Sequence, residues 1–137
     1  MKIVINSCFG GFGLSNKGIK RYLELQGKEC WFYKQTKHKY NDGKDEYILS
    51  DENDDSLFVI CNTKYLGEVT NELDDSFYYG DISRTDENLI KVVKELGSEA
   101  NSKFSDLKIV EIPDDVEWEI DDYDGIETIH EVHRSWS

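Results

Sequence analysis

The sequence predicts an α+β (mixed α/β) protein in which a single central sheet carries two main helices and a short C-terminal helix. Two segments have apolar residues at the 3.6-residue spacing of a helix, and they lie among short runs rich in β-branched and aromatic residues. The 137 residues suffice for one hydrophobic core, so we expect residues 1–137 to form a single domain.

The chain order of the predicted elements is β-α-β-β-β-α-β-β-α. The first predicted helix has Ser15 or Asn16 as its N-cap and ends at Gly27. The second has Thr85 or Asp86 as its N-cap and ends before Gly97. The predicted strands span 2–8, 30–35, 57–62, 77–79, 107–112 and 116–120, and the predicted helices span 15–26, 86–96 and 126–133. Residues 47–49 could form one additional short strand. We expect the strands that begin at residues 2, 30, 57 and 107 to share one sheet.

Composition and charge exclude several classes of protein. The formal net charge of −13 disfavours binding to nucleic acid, which requires Lys and Arg to displace counterions. No apolar run is long enough for a membrane helix, and the N-terminus does not resemble a signal peptide, so a cytoplasmic protein is expected. Three cysteines without CxxC spacing are typical of buried thiols rather than of a disulfide framework or a zinc site.

The only net positive stretch is residues 1–44, and it contains the best candidate for a ligand site. A glycine-rich turn, Phe9-Gly10-Gly11-Phe12-Gly13, joins the first strand to the first helix. Glycines allow backbone N–H groups to approach a ligand, and a helix N-terminus favours an anion. The turn lacks the P-loop spacing, so a plain tight turn is the alternative interpretation. The candidate ligand-binding residues are Phe9, Gly10, Gly11, Phe12, Gly13, Ser15, Lys17, Lys20, Arg21, Arg84 and Arg134.

Arg84 precedes the second helix, where N–H donors also point outward, so we expect it to line a pocket together with Gly10–Gly13. The alternative is a structural ion pair with one of the many carboxylates. Phe9 and Phe12 could stack on a base, although such residues are more often part of the core.

Three other patterns indicate weaker candidate sites. Cys8, at a strand end near a helix N-terminus, could act as a nucleophile with His130 or His133 as base and Glu131 orienting it, although a buried thiol is the simpler interpretation. Asp122, Asp124, Gly125 and Glu131 match part of a calcium loop whose first ligand position is Ile120, which cannot coordinate calcium. His130 and His133 would share a helix face, but they lack the zinc-protease spacing. We therefore expect no metal and no cofactor.

Three segments are similar to a family of small uncharacterised bacteriophage and prophage proteins. They are KIVINSCFGGFGLS (2–15), ELGSEAN (95–101), and IVEIPDDVEWEIDDYDG (109–125), which continues to EVHRSW (131–136). Residues 36–80 carry none of the similarity. The resemblance implies a phage origin and brings no assigned activity. By analogy, small non-structural phage proteins often act against host defence, some of them by sequestering nucleotide signals.

The function expected from the sequence is non-catalytic capture of an anionic, nucleotide-like small molecule, plausibly a host immune signal. Two alternatives remain open at this stage. One is a hydrolase of a similar ligand that depends on Cys8 or a histidine, and the other is an acidic inhibitor that docks on a basic host protein. A homo-oligomer is compatible with any of the three.

Overall fold

The computed structural model describes residues 1–37, 45–54, 56 and 59–132. Within them the fold is mixed α+β, with two α-helices and antiparallel strands. The strands are β1 (Lys2–Asn6), β2 (Trp31–Lys37), β3 (Glu46–Ser50), β4 (Val59–Asn62), β5 (Val69–Thr70), β6 (Ser76–Phe77), β7 (Leu107–Glu111), β8 (Trp118–Tyr123) and β9 (Ile126–Glu131). The helices are α1 (Asn16–Leu25) and α2 (Glu87–Leu96), with short 3₁₀ helices at Tyr79–Asp81 and Gly97–Ala100.

The predicted single central sheet is wrong, because the described strands form three antiparallel sheets. β1 pairs with β7, whereas β2 and β4 lie in a five-stranded sheet of order β5-β3-β2-β4-β6. β8 and β9 form a separate hairpin. The strands predicted to begin at residues 2 and 107 are thus in a different sheet from those predicted at 30 and 57. Residues 57 and 58 lie outside the described part of the chain.

Both main helices have the predicted caps. The Ser15 side chain accepts a hydrogen bond from the Gly18 N–H at 3.0 Å, and Asp86 accepts from the N–H groups of Asn88 and Leu89. The helices pack on each other, and α2 also packs on β1 and β7. One buried cluster combines apolar residues of both helices with Val4 of β1 and with Phe32 and Cys61 of the five-stranded sheet. The two sheets therefore share a core through the helices.

The predicted C-terminal helix is wrong, because Ile126–Glu131 forms strand β9. Asp124 and Gly125 have φ angles of 51° and 91°, so both central residues of the turn are left-handed, which is the geometry of a tight two-residue hairpin turn. The residues considered for a calcium loop are thus in and beside this hairpin. His133, expected to share a helix face with His130, lies outside the described residues.

No helix among the described residues is both long and apolar enough to cross a membrane.

Candidate functional site

Arg84 lies at the centre of a partly buried polar network. Its Nη1 and Nη2 donate to Oε1 and Oε2 of Glu127 at 2.6 and 2.8 Å, and the Glu127 side chain is only 5% exposed. Its guanidinium carbon also stands 3.7 Å from the centre of the Phe12 ring. The structure therefore brings Arg84 next to the glycine-rich turn, and in this arrangement Nη1 and Nη2 of the guanidinium group both bond acceptors of the protein itself.

The backbone of the glycine-rich turn is covered on one side by the β8–β9 hairpin. Gly10 N–H donates to the Asp124 carbonyl at 3.3 Å, and a Cβ added to Gly125 would overlap the backbone nitrogens of Gly10 and Gly11. Gly13 is buried, and its carbonyl accepts from Ser105 Oγ at 2.8 Å. Through these contacts the glycine-rich turn packs against two segments that are distant in the sequence, the β8–β9 hairpin and the segment that contains Ser105. Phe9 is left exposed, and no described residue of this turn lines the groove described next.

A groove of about 530 Å³ lies at the N-terminus of α1. This volume falls within the usual range for small-molecule sites. One wall is the start of α1, another is the segment after β3, and a third is the segment before β7. The described lining residues are Leu14, Ser15, Asn16, Lys17, Ile19, Glu52, Asn53, Asp54, Ser56, Val59, Tyr79, Asn101, Ser102, Lys103 and Phe104.

Hydrogen bonds hold two of these walls against α1. Asn16 Nδ2 donates to the Asp54 carbonyl at 2.9 Å, which attaches the segment after β3 to the first residue of the helix. On the other side, Ser15 N–H donates to the Ala100 carbonyl and Ser15 Oγ to the Glu99 carbonyl. Ser15 thus caps the helix and also anchors the segment that leads to residues 101–104.

The start of α1 offers polar groups to an anion in the groove. Ser15 accepts the Gly18 N–H through its side chain and the Ile19 N–H through its carbonyl. The N–H groups of Asn16 and Lys17, at the first two helical positions, have no acceptor within the helix. Together with the Lys17 ammonium group, they make this end of α1 locally positive.

The three basic residues predicted on the first helix have different surroundings. Lys20 Nζ lies 3.2 Å from Glu52 Oε1, and Arg21 pairs with Glu95 at 2.8 Å and with Glu24 at 3.3 Å. The hydrogen bond with Glu95 raises the pKa of Arg21. Lys17 is exposed, lines the groove and forms no ion pair with the described residues. The structure thus separates Lys17 from the two residues with which it was grouped.

The carboxylates in the groove are held by neighbouring donors. Hydrogen bonds from Ser56 and Ser50 lower the pKa of Asp54 to about 2, and Lys34 Nζ lies 3.8 Å away. Glu52 faces Lys20. Because each carboxylate has another lysine nearby, Glu52 and Asp54 do not cancel the charge of Lys17 in the lining.

Sequence reasoning missed the aromatic side chains of the groove. Phe104 is 60% exposed, and Tyr79 forms a T-shaped pair with Phe12 in which the ring centroids are 5.9 Å apart. The available signal was the segment Asn101–Ser105, in which a phenylalanine stands among polar residues that are typical of an exposed loop. What could not be read from the sequence is that this loop folds back onto the start of α1.

The remaining candidate residues are not assembled into a catalytic or metal site within the described chain. The Cys8 thiol lies 3.5 Å from Asn6 Oδ1 and from the Phe104 carbonyl, whereas His130 Nε2 contacts Asp121 and Thr128. No described group of three or more His, Cys, Asp or Glu side chains is placed to hold a metal ion. Arg134 lies outside the described residues.

Comparison of the chain with protein-family models, with curated proteins and with solved structures finds no match.

Proposed function

We propose that the protein is a binding protein that captures an anionic small molecule of the nucleotide type in the groove at the N-terminus of α1. The observation that carries the proposal is the meeting, in one groove, of a helix N-terminus, the Lys17 side chain and the exposed ring of Phe104. The first two attract a phosphate, and the third offers a face on which a base stacks.

The size of the groove and the state of its carboxylates support this assignment. The groove volume of about 530 Å³ lies in the usual range for small-molecule sites and suits a ligand of the size of a mononucleotide. Asp54 accepts hydrogen bonds from two serines and Glu52 pairs with Lys20, so these carboxylates do not dominate the charge of the groove. The groove holds no arrangement of nucleophile, base and orienting group among its described residues, which favours binding over hydrolysis.

The phage origin that we expect from the sequence determines which ligands are tested first. We propose that the protein acts in the cytoplasm of an infected host cell, where it withdraws a nucleotide-derived immune signal. Protein purified from infected, defence-positive cells is denatured, and the released metabolites are identified by mass spectrometry. We expect an intact phosphate-bearing molecule in near-stoichiometric amount. A hydrolase would release product instead.

Binding at the groove is tested with two phenylalanine variants. Phe104→Ala removes the exposed ring of the groove, whereas Phe9→Ala removes a ring of similar exposure that does not line it. The released molecule is titrated into each variant by calorimetry. Loss of stacking on Phe104 is worth about 1–3 kcal/mol, a roughly five- to 150-fold loss of affinity, and Phe9→Ala should bind normally. Equal affinities of the two variants would place the ligand elsewhere.

A second candidate function is docking on a basic host protein through the β8–β9 hairpin. Most of the exposed residues of β8 are acidic, which suits a basic partner surface. Among the described residues β8 pairs only with β9, so its other edge is open to a further strand. This candidate requires no small molecule. It predicts a host protein recovered with the wild-type chain and lost when Asp121 and Asp122 are replaced by Lys.

A further inference from the structure

Two thiols from different parts of the chain are in contact in the shared core. The Cys30 and Cys61 Sγ atoms are 2.9 Å apart. Cys30 directly precedes β2, and Cys61 lies in β4 opposite Phe32, the residue two positions after Cys30. Since side chains two residues apart share a face of a strand, the pairing of β2 with β4 directs both thiols to the same side.

We propose that Cys30 and Cys61 are an oxidisable site that forms a reversible intramolecular disulfide. Two observations support the assignment. The sulfurs are already closer than two unbonded sulfur atoms normally approach, so forming the bond requires them to move together by only about 1 Å. Cys61 lies within β4, and Cys30 is bonded directly to the first residue of β2, which pairs with β4, so the sheet fixes where the two residues lie.

The reaction needs an oxidant, and we assign that role to a small disulfide such as glutathione disulfide. The partly exposed Cys30 thiolate attacks one glutathione sulfur and displaces a glutathione thiolate, which takes up a proton. Cys61 then loses its proton, attacks Cys30 Sγ and displaces the second glutathione. One protein disulfide forms, two cysteines are oxidised, and glutathione disulfide is reduced to two thiols.

The order of attack follows from burial. Cys61 is 3% exposed, so it reaches an external disulfide poorly, whereas Cys30 is only half-buried. The hydrogen bond with Cys30 and burial also raise the pKa of Cys61, which keeps this thiol protonated until its partner has reacted.

Cys8 provides a matched control within the same chain. It is half-buried like Cys30, but its thiol faces the Asn6 side chain and the Phe104 carbonyl rather than another sulfur. The same oxidant should therefore give Cys8 at most a mixed disulfide with glutathione. It should not give a bond within the protein.

The experiment exposes the folded protein to reduced and oxidised glutathione in varying ratio and digests it after the thiols are blocked. We expect a peptide pair joined through Cys30 and Cys61, two hydrogens lighter than the separate peptides, in wild type and in Cys8→Ser. Reduction with dithiothreitol should reverse it. Closing the 30–61 loop should also raise the thermal midpoint by about 10 °C in the oxidised form.

Two results would overturn the proposal. One is that Cys30 and Cys61 both remain free thiols, or carry only glutathione, when oxidised glutathione is in large excess. The other is a midpoint that does not rise although the linked peptides are found, because the bond would then strain the native fold, contrary to a site in which the two sulfurs are already in place. Cys8→Ser keeps both proposed partners, so neither result depends on whether Cys30→Ser or Cys61→Ser folds.

Discussion

Arg84 and Glu127 together cover the edge of β1 that does not pair with β7. The Val4 N–H donates to the Arg84 carbonyl and the Asn6 N–H to Glu127 Oε1, each at 2.8 Å, while Arg84 Nη1 reaches the Val4 carbonyl at 3.3 Å. The two side chains and the Arg84 carbonyl therefore satisfy backbone groups that a further strand would otherwise bond. The ion pair also ties the segment before α2 to the β8–β9 hairpin.

Arg84→Ala should destabilise the fold strongly. It leaves the Glu127 carboxylate buried without its partner, and breaking a buried pair in this way costs about 3–5 kcal/mol. Urea unfolding followed by circular dichroism measures the loss. Arg21→Ala, which removes an arginine from an exposed pair, should leave the unfolding midpoint almost unchanged. Similar losses for the two variants would mean that Arg84 is not a structural residue.

Features that depend on residues close together in the sequence could be predicted, whereas contacts between residues far apart in the sequence could not. The caps Ser15 and Asp86 were predicted because a capping side chain bonds a backbone group within three residues. For Arg84 the sequence left a ligand and an ion pair equally open, since Glu127 follows 43 residues later and one of many carboxylates had to be chosen. No local sequence pattern shows which carboxylate pairs with Arg84.

The two errors in the fold have separate causes. Strand propensity in residues 2–8 and 30–35 predicted that strands exist, but pairing is a long-range property, so assigning both to one sheet was an assumption. The missed β8–β9 hairpin has another cause, because a local signal for it was present in the sequence. Asp124-Gly125 stands between segments in which apolar and polar residues alternate, which is a strong hairpin pattern. The sequence analysis nevertheless predicts a helix over residues 126–133 instead of a returning strand.

Gly125→Ala should be much more damaging than Gly27→Ala. Both glycines have positive φ, 91° and 70°, so each substitution carries a conformational cost of about 1–2 kcal/mol. At Gly27 a Cβ would meet no atom within 4 Å, whereas at Gly125 it would overlap the backbone of Gly10 and Gly11. We therefore expect a further loss of about 1–3 kcal/mol for Gly125→Ala in urea unfolding. Equal losses would mean that the hairpin does not pack on the glycine-rich turn.

Ionised Asp54 should stabilise the folded protein, so that stability falls when this carboxylate is protonated at low pH. Hydrogen bonds from Ser56 and Ser50 lower its pKa from 3.8 to about 2 in the folded protein, so the unfolded chain binds the proton more tightly. The stabilisation is then fully present above about pH 4 and is lost as the pH falls towards 2. Thermal midpoints of wild type and Asp54→Asn are compared from pH 5 to pH 2. The thermal midpoint of wild type should exceed that of Asp54→Asn by less and less as the pH falls over this range. A difference that stays constant would contradict the lowered pKa of Asp54.

Lys17 should contribute to anion binding more than Lys20 or Arg21, with which the sequence grouped it. Lys20 and Arg21 are paired with Glu52 and Glu95, so an incoming phosphate would have to compete with those carboxylates. Lys17 lines the groove beside two backbone N–H groups that lack helical acceptors. Loss of a charged hydrogen bond of about 1.5 kcal/mol predicts a roughly tenfold weaker affinity for Lys17→Gln.

The matched control for Lys17 is Lys28→Gln, which removes the same charge from an exposed residue just beyond the other end of α1. Both variants have the same net charge, so a general change in the field of the protein affects them alike. The metabolite released from wild type is titrated by calorimetry at low and at physiological salt. The Lys17 variant should bind more weakly at both salt concentrations, and the Lys28 variant should differ from wild type only slightly at low salt. If the two variants weaken together, the anion is attracted by overall charge and the N-terminus of α1 is not its site.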